Sequence, residues 1–172
     1  MDFIHILILS AIQGITEFLP ISSQSHLILT SAFLGMKDQG LGFDIALHSG
    51  SLFAILIYYR KEIAKILSVS NEGIQYLKLI IIGSIPLPII GLLFIDIVSI
   101  NMRSVTSIAL MTIVFALILY IADVRKKENI SSLASISMFT IVFIGFMQTL
   151  AIMPGVSRAG IVITAALLAN FN

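Results

Sequence analysis

Glu17, Ser22, Ser23 and His26 stand close together in a stretch that is otherwise mostly apolar. Gln13 precedes Glu17 by four positions, so the two share one helix face. A carboxylate there can bind a divalent cation, accept a proton or orient a nucleophile. The plain alternative is a polar pair that locks two helices together. Glutamine rather than a second carboxylate at position 13 argues against a metal site that needs two carboxylates. Ser22, Ser23 and His26 follow Pro20, where a new helix should begin, and a helix start offers free N–H groups and a favourable dipole to an anion. His26 lies three positions from Ser23 and four from Ser22, so its imidazole is within reach of either hydroxyl. Serine activated by histidine is a nucleophile arrangement, whereas serine as a simple N-cap is the structural alternative.

A second constellation, Pro154-Gly155-Val156-Ser157-Arg158, repeats the plan: a break, then a helix start with a hydroxyl. Arg158 adds a fork of donors suited to phosphate oxygens, or to a structural bridge with Glu17. Asp44 and His48 are four apart near the start of an apolar run. A packing or interfacial contact is the simpler reading of that pair, and a direct role in the site is the other. An acid, hydroxyls, an imidazole and a guanidinium together point to an anionic substrate, with phosphate the first candidate.

The elements that position these groups belong to a membrane. The chain has 172 residues, 58% hydrophobic and 11% charged, with mean hydropathy +1.08. Soluble domains are nearer a quarter charged, so this is an integral membrane protein. Ionisable groups at membrane depth cost roughly 2.5–3.5 kcal/mol each on insertion scales, which makes those here functional candidates. A net charge of +1 with no basic tract gives no nucleic-acid partner. The absence of cysteine excludes disulfides, thiolate metal sites and cysteine nucleophiles. The N-terminus lacks a basic n-region and reads as mature protein.

Three segments, 43–59, 77–95 and 105–121, are expected to cross the membrane, the second interrupted by Gly83, Pro86 and Pro88. Positive charge is concentrated in residues 60–78 (Arg60, Lys61, Lys65, Lys78) and 123–128 (Arg125, Lys126, Lys127), against Arg103 alone in 96–104. This bias places the first two loops in the cytoplasm and the 96–104 turn outside. Two further segments, 3–34 and 136–171, are apolar at both ends and broken in the middle at Pro20 and Pro154-Gly155. Each is expected to be a pair of short helices meeting at a buried, re-entrant break.

A shift of 135 positions lays Gln13 on Gln148, Ser22 on Ser157 and Ser23 on Arg158. With three crossings between them the copies would enter from opposite faces, as in inverted-repeat proteins. The fold class is therefore an all-α polytopic membrane protein, one membrane domain over 1–172, with the second repeat incomplete.

Gln13-Gly14-Ile15-Thr16-Glu17-Phe18-Leu19-Pro20-Ile21-Ser22-Ser23 with His26 closely resembles the first signature of the undecaprenyl-diphosphate phosphatases of the bacitracin-resistance type. Pro154-Gly155-Val156-Ser157-Arg158-Ala159-Gly160 resembles the second, and Phe43 to Gly50 the block between. The resemblance implies a bacterial inner-membrane enzyme, its site open to the periplasm, that hydrolyses undecaprenyl diphosphate to the monophosphate and inorganic phosphate. That reaction recycles the carrier for cell-wall synthesis and gives bacitracin resistance. It implies six crossings and two re-entrant hairpins, with Gln13 and Glu17 at the acidic-motif positions and a divalent cation, Mg2+ or Ca2+. Ser23 would be the nucleophile and His26 its acid/base partner. Ser22, Gly155, Ser157 and Arg158 would bind the phosphates, Arg158 also serving catalysis. Ala159 and Val162 stand where the family usually has serine and threonine, and Gln24-Ser25 where it usually has Thr-Gly, while Thr164 remains.

The expected partners are the lipid substrate, membrane lipids and a second copy of the chain. The rival class is a polyprenyl-phosphate flippase or transporter, since broken helices with anion-binding ends also suit transport. A third reading is an inactive truncated remnant. The family runs on for roughly a hundred residues beyond position 172, matching the crossings the repeat leaves owing, so the chain is expected to be unstable or inactive alone.

Overall fold

In hydrocarbon a segment must satisfy its own backbone N–H and C=O groups, so apolar stretches of this kind fold as helices. The computed structural model describes residues 2–68, 70–126 and 136–171, and no strand occurs among them. The helices are α1 (Phe3–Thr16), α2 (Ser23–Phe33), α3 (Leu41–Tyr58), α4 (Arg60–Ile66), α5 (Asn71–Ser84), α6 (Pro86–Asn101), α7 (Val105–Val124), α8 (Met138–Gln148) and α9 (Arg158–Leu168). A 3-10 turn over Thr149–Ile152 extends α8.

Serine starts several of these helices for a common reason. The hydroxyls of Ser70, Ser104, Ser137 and Ser157 accept from the amides of Gly73, Ser107, Thr140 and Gly160 at 3.1, 3.2, 3.0 and 3.1 Å. Each bond satisfies one orphan donor of a first turn.

Three helical runs are long and apolar enough to cross a membrane: Leu41–Tyr58, Asn71–Val98 and Val105–Val124. They overlap the segments 43–59, 77–95 and 105–121. The middle one combines α5 and α6, divided at Ile85. Pro86 follows, and its missing N–H leaves the carbonyl of Ile82 without a helical donor. Large apolar side chains face outward, Leu92 and Phe139 among them at 82% and 81% exposure, as a lipid-facing surface requires. Lys127, counted above with a basic loop, lies outside the described residues.

Both broken segments are helix–break–helix, α1–α2 and α8–α9. With 14 and 11 residues, α1 and α2 extend only about 21 and 16 Å at 1.5 Å per residue. Each is short of ~30 Å of hydrocarbon. α7 packs against both α2 and α9, so it forms a wall alongside the two breaks. α8 lies on α5 at a glycine contact, where a Cβ on Gly145 would sit 2.7 Å from the Gly83 carbonyl oxygen. Gln148 Nε2 donates to that same oxygen at 3.0 Å.

Candidate active site

The i, i+4 spacing on α1 works as expected: Gln13 Nε2 donates to Glu17 Oε2 at 2.9 Å. Gln13 is 1% exposed and also approaches Ser51 Oγ on α3 at 3.5 Å. α1 ends as Thr16 turns its hydroxyl onto the Ile12 carbonyl, 2.7 Å away. The chain then reverses through Pro20, and Ser22 takes φ 59° and ψ 93°. A positive φ on a residue with a Cβ is costly, of order 1–3 kcal/mol, and such residues cluster at functional sites. Ser22 occupies the N-cap position of α2 but its hydroxyl caps nothing; it accepts from Ser25 Oγ at 2.9 Å. The N-cap alternative for Ser22 is thereby corrected: its hydroxyl meets the Ser25 side chain and not a first-turn amide.

That reversal brings Ser23, the first residue of α2, back onto Glu17. Ser23 Oγ donates to Glu17 Oε2 at 2.5 Å, the length of a charge-assisted O–H···O⁻ bond. Ser23 is buried and Glu17 partly exposed.

The histidine at this oxygen is His48, from α3. Its Nε2 lies 3.3 Å from Glu17 Oε2 and 3.5 Å from Ser23 Oγ. Its Nδ1 is 2.7 Å from the Asp44 main-chain carbonyl oxygen. His26 instead places Nδ1 2.9 Å from the Ser22 carbonyl oxygen. The expected pairing of His26 with Ser23 is therefore not what the fold makes: one turn along α2, the imidazole folds back on its own backbone.

Asp44 does not use its carboxylate on His48. Asp44 Oδ2 accepts from Arg103 Nη2 at 2.9 Å and from Gln24 Nε2 at 3.4 Å. Arg103, from the turn before α7, also makes a bidentate pair with Asp38, both bonds 2.6 Å. The guanidinium holds the Asp38 carboxyl below its ordinary value, despite partial burial acting the other way. Arg103 in turn is raised, first by Asp38 and then by Asp44. This three-residue clamp ties the start of α3 to the turn between α6 and α7. Sequence reading had used Arg103 only as a topological charge and passed over Asp38.

The second break is closed by backbone fit. Gly155 has φ 105°, and a Cβ there would lie 2.7 Å from the Ile108 carbonyl oxygen and 2.8 Å from Met111 Cβ. The Gly155 carbonyl accepts from Thr112 Oγ1 at 3.2 Å. Ser157 caps α9 yet keeps its own hydrogen free to donate. Thr164 gives its hydroxyl to the Gly160 carbonyl at 2.7 Å. Arg158 is exposed and has no ion pair or hydrogen-bond partner among the described residues, so the bridge to Glu17 is absent.

The two breaks meet. A Cβ on Gly160 would come 3.4 Å from the Pro20 carbonyl oxygen. Between them lies a cavity of about 280 Å³, lined by Pro20, Ile21 and His26 from one side and Gly155, Ser157, Gly160, Ile161 and Thr164 from the other. Thr112, Phe115, Ala116 and Leu119 of α7 form its apolar wall. Imidazole and hydroxyl at one end with an apolar wall beside them suit an amphiphile with a polar head.

Among the described residues no three His, Cys, Asp or Glu side chains form a metal cluster. The donors near Glu17 nonetheless suit a hard cation that shares phosphate oxygens: one carboxylate, plus Gln13 Oε1, which is buried with no hydrogen-bond partner.

Residues 6–172 match the family model described as bacitracin resistance protein BacA. The chain belongs to this family. BacA relatives include undecaprenyl-diphosphatase 1 of Pseudoalteromonas translucida, 44% identical over 100% of this chain and 68% of that protein. The undecaprenyl-diphosphatase of Teredinibacter turnerae is 45% identical over 97% of this chain and 66% of its own length. That of Saccharophagus degradans is 43% identical over 100% and 68%. The chain thus spans about two thirds of the length of these BacA relatives, and both breaks lie in the matched part.

Proposed function

We propose that this chain is a membrane phosphatase that hydrolyses undecaprenyl diphosphate to undecaprenyl phosphate and inorganic phosphate, recycling the lipid carrier and protecting against bacitracin. The names of its relatives support the substrate. The observation that carries the reading is the Ser23 hydroxyl held 2.5 Å from Glu17 at the start of α2.

In this reading the terminal phosphate lies between the starts of α2 and α9, where amide dipoles and the Ser157 hydroxyl meet its charge. Arg158, without a partner among the described residues, closes onto the phosphate oxygens. Ser23 Oγ attacks the terminal phosphorus and gives up its proton to a neighbouring basic side chain. The Oγ–P bond forms, the bond to the bridging oxygen breaks, and the lipid monophosphate leaves with the electron pair. His26, lining the cavity beside Ser157, gives a proton to the leaving oxygen. Water then cleaves the phosphoserine, releasing orthophosphate and restoring the hydroxyl. Glu17 orients Ser23 throughout. Glu17 and Gln13 would hold a divalent cation, Mg2+ or Ca2+, which when bound neutralises phosphate charge. The clustered positive charge around α4 supports a site facing away from the cytoplasm in the bacterial inner membrane.

The test is phosphate release from C55 diphosphate by the protein in proteoliposomes. Ser23→Ala should lower the rate at least about 10³-fold, since it removes the nucleophile, and acid quench should trap phosphoserine in the wild type. Full activity in Ser23→Ala rules out covalent catalysis. Movement of the lipid across the bilayer without phosphate release would make the protein a transporter.

A further inference from the structure

We propose that His48 is the general base that takes the Ser23 proton, a role the local sequence suggests for His26. This inference rests on the phosphatase reading. A main-chain carbonyl only accepts, so the 2.7 Å contact to Asp44 fixes a proton on His48 Nδ1. In the neutral ring the lone pair is then on Nε2, the atom that faces Ser23 Oγ at 3.5 Å and Glu17 Oε2 at 3.3 Å. Of those two oxygens only the serine carries a proton, which in the resting site it donates to Glu17 Oε2 and which passes to Nε2 as Oγ attacks.

The charges favour this transfer. As Oγ forms its bond to phosphorus, the Oγ–H proton passes to Nε2 and the O–H electron pair stays on oxygen. The product imidazolium stands beside the Glu17 carboxylate. A proton placed on Glu17 would instead cancel the charge that holds Gln13 and Ser23. In the second half-reaction the imidazolium returns its proton to Ser23 Oγ as water displaces it, so the cycle closes with the ring neutral.

His26 has the same internal anchor, Nδ1 on the carbonyl four residues back, but faces the cavity and not the nucleophile. The two imidazoles thus divide the work, one on the attacking side and one on the leaving side. The Asp38–Arg103–Asp44 clamp fixes the start of α3 and with it the carbonyl that sets the His48 tautomer.

The measurement is the rate of phosphoserine formation at Ser23 by rapid quench with C55 diphosphate in proteoliposomes. His48 is 37% exposed, so its replacement leaves no deep void, and thermal unfolding checks each variant. His48→Gln should slow phosphoserine formation about 10²-fold or more, the usual contribution of a general base. His48→Ala should be slowed as far, and added imidazole should restore its rate in proportion to free-base concentration, which a structural role would not do. Phosphoserine formation in His48→Gln within twofold of wild type, or no imidazole rescue of a folded His48→Ala, overturns the proposal and leaves the phosphatase reading intact. No phosphate release by the wild type overturns both.

Discussion

At the first break, residues 17–22, the restraints that reach other elements are polar side chains: Glu17 on Ser23 and His48, Gln13 towards Ser51, and Asp44 on Gln24 and Arg103. At the second, residues 153–157, the restraint is mainly steric, with Gly155 pressed on α7 and Gly145 on α5. Two segments that read as copies are thus held by different forces. On the phosphatase reading, the difference follows from their tasks. A break that must present a nucleophile and move a proton needs groups that can change charge. A break that must present amides and a free guanidinium needs only to stay still.

The comparison can be broken most directly at Arg103. Arg103→Ala leaves Asp44, 2% exposed, without its cation, and loss of one partner of a buried pair costs about 3–5 kcal/mol. Thermal unfolding in micelles should show this loss, and adding Asp44→Asn should recover much of it. No recovery would mean that packing, not charge, holds the first break.

A methyl group should do the corresponding damage at the second. Gly155→Ala meets both an adverse φ and a clash with α7, together about 2–4 kcal/mol. Gly14→Ala, on the exposed face of α1 with nothing within 4 Å, should instead gain about 0.5–1 kcal/mol. Similar effects at the two glycines would erase the distinction.

The smallest effect is in acid. Asp38 is held below its ordinary 3.8, so its contribution is fully present above that value and is lost as pH falls through the lower folded value. The midpoint difference between wild type and Asp38→Asn should hold steady above about pH 5 and shrink below about pH 4. Gly155→Ala should show no such narrowing against wild type.

Much of this was legible in the chain. The crossings follow from hydropathy, and the breaks from Pro20 and Pro154-Gly155. The Gln13–Glu17 contact follows from helical spacing. The Asp44–His48 spacing was a visible signal, read as a packing contact or a direct role; the fold joins His48 to the Asp44 main-chain carbonyl and also brings it to Ser23. Arg103 and Asp38 are separated by 65 positions, and no local pattern links them. The return of Ser23 onto Glu17 needed the positive φ of Ser22, which a serine does not advertise.

Sequence alone determined that these groups lie in membrane helices, that two breaks carry the polar residues, and which side chains are available for phosphate chemistry. Those are consequences of hydropathy and of contacts within a few residues, where helix geometry leaves little freedom. Tertiary structure decided which histidine meets Ser23, that Arg158 has no partner among the described residues, and what locks α3 in place. Those depend on how helices rotate and pack against one another: of two imidazoles each anchored on the carbonyl four residues back, His48 meets Ser23 and His26 lines the cavity.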